Sequence, residues 1–204
     1  IFMFYYEKSL VLICTIASLA GFVMVLDDLI LPLIDKNIKN HIHDAEKIIS
    51  TGFFRNDLKV LKFSILLFII SSTLLVSLLT GTDNPVYQLL VMITYIAMNA
   101  LLSLSIMFKF ANEMSDRSGK FKTLSHIGYL PEASKRIIRS EVVKLYTFIL
   151  IVILLYLVNI FATLYLGGVL ALNHILILLI GSVLPVIICG IISLLYYRSI
   201  ILKK

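Results

Sequence analysis

The sequence predicts an all-α integral membrane protein with five transmembrane helices and two cytoplasmic segments, one amphipathic and one built for coupling. Three observations lead there. The 204 residues are 60% hydrophobic, with a mean hydropathy of +1.01, whereas an ordinary globular domain is about half apolar. Long charge-free runs cover Ser9 to Leu26, Phe63 to Thr82, Asn84 to Phe108 and Leu145 to Tyr197. The basic residues cluster between these runs and leave the short turns bare.

A helix rises about 1.5 Å per residue, so about 20 apolar residues cross the ~30 Å hydrocarbon layer. Each of the first three runs therefore makes one span. The last is too long for one, and Gly167, Gly168, Asn173 and His174 interrupt it at its centre, where glycines and polar groups mark a turn. The spans fall at about residues 9–31, 60–81, 86–109, 144–166 and 173–197, with an amphipathic loop at 35–59 and a coupling segment at 110–143. The flank "YYEK" before the first run lacks the basic n-region and cleavage site of a signal peptide, so that run reads as a membrane helix. A chain that begins at Ile1 rather than Met reads as processed, or as one piece of a longer polypeptide.

Short cytoplasmic loops hold positive charge, which orients the spans. With the N-terminus outside and the C-terminus cytoplasmic, only Lys8 of the 18 Lys and Arg residues falls outside. The net charge of +6 is thus a matter of topology. No soluble basic patch interleaved with aromatics accompanies it, so nucleic acid is not an expected partner. Membrane lipid is. Cys14 and Cys189 both lie in apolar spans and read as small core residues rather than as a disulfide.

In the first cytoplasmic loop, Ile38, Ile42, Ala45, Ile49 and Phe53 recur every three or four residues, predicting an amphipathic helix on the membrane or on a partner. His41, His43, Asp44 and Glu46 resemble a ligand cluster only in composition. An H-x-H pair on a helix points its rings to different faces, so no metal is assigned. In the second segment, Phe121, Leu124 and Ile127 form a short apolar stripe, Gly128 can close that helix, and Pro131 with Glu132 can open the next. The second helix carries Lys135, Arg136 and Arg139 to headgroup level, where an interfacial anchor is the plainer reading. Two short helices around a Gly-to-Pro corner also make a rigid docking element.

The pattern R-x3-F-x2-L-x2-IG followed by "KRIIRSE", from Arg117 to Glu141, resembles the cytoplasmic segment of FtsX-like permeases. The turn "LYLGG", the Pro185 span and the tail "IISLLYYRSIILKK" are similar to the C-terminal part of Bce-type peptide-antibiotic ABC transporter permeases. The likeness covers roughly Val86 to Lys204. It implies that the segment docks on a separate ABC ATPase subunit, acting as a dimer, through Arg117, Phe121, Leu124, Ile127, Gly128, Lys135, Arg136, Arg139 and Glu141. ATP and magnesium would then be bound by that partner, and this chain would hold no cofactor; it contains no G-x4-G-K-[ST] phosphate loop. Another permease half or a sensor histidine kinase are further partners the likeness implies, in a bacterial cytoplasmic membrane. One departure stands out. Bce-type permeases carry a large extracellular domain where this chain has only "TGTDNP".

Polar groups inside the spans complete the list. Asp27 and Asp28 follow the first apolar run, and an ionised carboxylate at mid-bilayer costs about 2.5–3.5 kcal/mol on insertion scales, which places them at an interface, with Pro32 ending the helix. Adjacent acids on one helix cannot face each other as an aspartyl hydrolase requires, and no catalytic residue is assigned. Asn99, Ser103, Ser105, Asn159 and Thr163 read as hydrogen-bonding glue between helices. Ala17 and Gly21 suggest one close helix contact. The expected function is a non-enzymatic permease subunit that couples a partner's ATP hydrolysis to the handling or sensing of a peptide antibiotic or lipid complex. The alternative is a non-transporting immunity or assembly protein that binds a bacteriocin or a membrane partner.

Overall fold

A computed structural model describes residue 17 and residues 19–40, 44–81, 84–117 and 131–202. Residues 19–24 are helical and pass without a break into a π-helical stretch, Val25–Ile30, and then into α1, Leu31–Asn40. Four long helices follow: α2 (Ala45–Thr80), α3 (Pro85–Asp116), α4 (Pro131–Leu166) and α5 (Leu172–Leu202). Each is long and apolar enough to cross a membrane. The first predicted span, at about residues 9–31, lies largely outside the described residues; among those that are described, four helices rather than five meet the criterion.

Local chemistry explains where these helices stop. Asn84 caps α3, its side-chain oxygen accepting from the Val86 amide at 3.0 Å, and Pro85 takes the first helical position, where a missing N–H is harmless. At the end of α4, Gly168 adopts φ 67°, the left-handed conformation that closes a helix. The Val169 amide reaches back to the Leu164 carbonyl and the Gly168 amide to that of Tyr165, both at 3.0 Å. The glycines expected to split the last apolar run thus do so through a Schellman closure.

The charged loops proved more helical than their composition suggested. The amphipathic stretch does not lie apart from the second span: α1 ends at Asn40, and from Ala45 the chain runs as one 36-residue helix into the apolar part. At about 1.5 Å per residue, such a helix is about 54 Å long, nearly twice the hydrocarbon thickness. Likewise, α3 continues from its apolar run to Asp116, and α4 begins at Pro131, well before Leu145. The bundle therefore has a long charged end beyond its apolar part. Pro32 does not end the helix there either, since α1 runs through it.

The four helices pack in a ring in which α2 touches α3 and α4, and α5 touches the same two. Two antiparallel hairpins, α2–α3 and α4–α5, are joined by turns at one end of the bundle. The core is a column of Leu61, Ile65, Phe68, Val76, Tyr95, Ile106, Phe110, Leu145, Ile149 and Ile153, all nearly or fully buried. Outside, Phe63, Leu67, Leu89, Ile93, Leu101, Leu155, Ile180 and Leu195 are exposed. An apolar exterior this extensive belongs in lipid. Close approach occurs at α5: a Cβ at Gly181 would stand 2.8 Å from Ile96 Cγ1, and one at Gly190 3.1 Å from the Tyr146 ring. At Gly21 nothing lies within 4 Å, so the expected small-residue contact of Ala17 and Gly21 is not made there.

Candidate functional site: a buried charge cluster at the basic end of the bundle

The stripe that α2 turns inward reads Ser50, Asp57, Leu58, Leu61, Ser64 and Ile65 at helical spacing, all buried. An acid therefore sits where a core residue belongs. On α4 the same holds for Glu141, between Ile137, Ile138 and Leu145. Arg117 caps the C-terminus of α3, where a cation suits the helix dipole, and its backbone amide closes on the Glu113 and Met114 carbonyls.

These three side chains meet. One guanidinium nitrogen of Arg117 donates to Asp57, which also receives an ion pair from it, and the other donates to Glu141 Oε1 at 2.5 Å. Glu113, one turn back on α3, accepts a third bond at 3.1 Å. The face of the guanidinium lies over the Phe53 ring, 4.9 Å from its centre. Arg117 is 2% exposed and both carboxylates are fully enclosed. Three helices are tied through one cation.

The cluster lies beyond the charge-free runs. Asp57 precedes Phe63 by six residues, Glu141 precedes Leu145 by four and Arg117 follows Phe108 by nine, or about 6 to 13 Å along the helices. Charge is not balanced inside it. Asp57 Oδ2 and Glu141 Oε2 have no hydrogen-bond donor, yet the two carboxyls are within hydrogen-bonding reach of each other. Burial, and then the Asp57 carboxyl beside it, hold Glu141 far above the usual carboxylate range against the pull of Arg117. Burial raises Asp57 as well, opposed by its bonds to Glu141 and Arg117.

Around this centre a shell of exposed pairs links the same end. Arg136 on α4 grips Glu46 on α2 at 2.8 and 3.1 Å, Lys144 reaches Ser50 at 2.8 Å and Thr51 at 3.2 Å, and Arg55 meets Asp35 of α1 at 2.7 Å. Asn56 donates to Glu113 at 2.7 Å. Arg139 is exposed and Lys135 half-buried. Phe121, Leu124, Ile127 and Gly128 lie outside the described residues, as do His41 and His43. Among the described residues no group of three metal-ligating side chains converges.

Of the predicted intramembrane polar residues, Asp27 pairs with Lys62 at 2.9 Å, tying the π-helical stretch to α2, while Asp28 is exposed. Asn99 is fully buried and accepts from Ser72 of α2 at 2.8 Å, an interhelical bond of the expected kind. Ser103 and Thr163 instead bond to carbonyls of their own helices, Asn99 and Asn159 respectively. Asn159 is half-buried and Ser105 exposed. Sequence reasoning missed Asp57, although a signal was present: it falls four residues after Phe53 and four before Leu61, on the apolar stripe.

The architecture is that of a helical, multi-pass membrane protein whose charged helix ends are locked by a buried ionic knot. No family model, no curated protein and no solved structure matches the chain.

Proposed function

We propose that this chain is a membrane-spanning permease subunit of an ABC transporter resembling the Bce type, with five spans, its N-terminus outside and its C-terminus in the cytoplasm of a bacterial cell. A separate ATPase, acting as a dimer, binds ATP and magnesium and docks on the segment between α3 and α4. The work of hydrolysis is applied there to the handling or sensing of a peptide antibiotic or lipid complex.

The observation that carries this reading is mechanical. Arg117 and Glu141, at either side of that segment, are joined to each other and to Asp57, and α3 and α4 run unbroken from these residues through their apolar parts. A displacement of the segment meets no joint before it reaches the spans. Arg117 and Glu141 serve here as positioning residues, turned inward and fully engaged, while Lys135 and Arg139 are left to face a partner. Arg136, held by Glu46, steadies the surface between them.

The test is affinity capture of the intact chain from its own membrane in mild detergent, with mass spectrometry of what accompanies it. A stoichiometric P-loop ATPase, lost on Lys135→Glu with Arg139→Glu while membrane insertion persists, is the expected result. Recovery of membrane proteins alone overturns the proposal and leaves the non-transporting immunity or assembly role.

A further inference from the structure

The cluster holds more acid than its single guanidinium neutralises. Asp57 and Glu141 each give one oxygen to Arg117 and keep the other buried without a donor, and those two carboxyls lie within reach of each other. Two buried carboxylates side by side repel, and an unpaired buried charge costs far more than an exposed one. A proton between them removes both difficulties: it gives one acid a donor, gives the other an acceptor role, and leaves one negative charge against one positive. The geometry points to Asp57 and Glu141 as a proton-binding site, in which one shared proton fastens α2 to α4 at the charged end of the bundle.

The groups around the site bear on that proton. From α3 come Arg117, which favours ionised acids, and Glu113, 24% exposed, which opposes ionisation. From α4 comes Lys144, engaged with Ser50 and Thr51 of α2 and attracted by Glu141. The described side chains of α5 bring no charge to this end, His174 being at the other. Together these leave one buried cation for two buried acids. The site does not depend on the permease reading, because it lies wholly within this chain.

Its consequence has a definite sign. In the unfolded chain a glutamate releases its proton near pH ~4.3, whereas in the fold it keeps it to a much higher pH. Between those limits the folded state binds more protons than the unfolded one, so stability is greatest below the lower limit and declines as pH rises toward the upper. One extra bound proton raises the unfolding equilibrium constant about tenfold per pH unit in that window.

The experiment uses the intact chain in detergent. Unfolding is followed from pH 6 to pH 9, about the range in which an ordinary carboxyl no longer titrates, for wild type and for Glu141→Gln, which places a permanent donor where the proton would be. The wild type should lose stability with rising pH and the variant should be nearly flat. Equal slopes overturn the proposal. Infrared difference spectra supply a second readout that needs no folded variant. A protonated carboxyl carbonyl band at neutral pH in the wild type, fading on alkaline titration, is expected; its absence overturns the proposal as well.

Discussion

Replacing Arg117 by methionine is the sharpest perturbation of the ionic knot. Methionine approximates the length of the arginine stem and keeps its packing against Phe53, so the change removes charge and hydrogen bonds more than volume. Arg117 is 2% exposed and its two main partners are fully enclosed, so water cannot replace what is lost. Breaking a buried pair by deleting one partner costs about 3–5 kcal/mol, because the other charge is left uncompensated. The Glu113 contact, 24% exposed on the carboxylate, adds about 0–1 kcal/mol at most. The expected loss is therefore about 3–5 kcal/mol. It would be measured by reversible denaturation in detergent micelles, read by far-UV circular dichroism. The control is the triple variant Arg117→Met, Asp57→Leu, Glu141→Gln, which removes all three charges and should recover most of the loss, since apolar replacement of a buried ionic triad is often neutral or stabilising. An Arg117→Met protein within about 1 kcal/mol of wild type would refute the claim that the knot holds the helix ends together.

Two further expectations follow from packing inside the apolar part. Gly181→Ala should destabilise by about 1–3 kcal/mol, because its Cβ would meet Ile96 Cγ1 at 2.8 Å, and Ile96→Ala should restore much of this in the double variant; no recovery would show that the contact is not the cause. Asn99→Leu, which breaks the bond from Ser72, should cost about 0.6–1.7 kcal/mol in the same unfolding assay. A much larger loss would mean that Asn99 does more than join two helices.

The membrane character and the position of the apolar runs were legible in the sequence, because hydrocarbon imposes length and composition directly on a helix. So was the Gly168 turn, since few residues other than glycine accept its backbone angle. The continuity of α2, α3 and α4 into the charged segments was not. Charge-free runs mark where lipid is, and a helix that leaves the bilayer can keep its hydrogen bonds in water just as well, so composition changes where the backbone does not. The partner of Asn99 was equally hidden, since a lone asparagine in a span signals a need for a bond without naming Ser72.

Arg117 and Glu141 drew attention in the sequence as parts of a basic motif, with a docking surface as the implied role. Their burial against Asp57 depends on three helices meeting at one level, across separations of 24 and 60 residues. The sequence by itself determined that this chain lives in a membrane, which runs cross it and which end of the bundle is charged, because each of these rests on local transfer energies and helix geometry. Only the tertiary structure decided that two acids from distant helices enclose one arginine, because whether a charge is solvated or buried is a property of its neighbours in space.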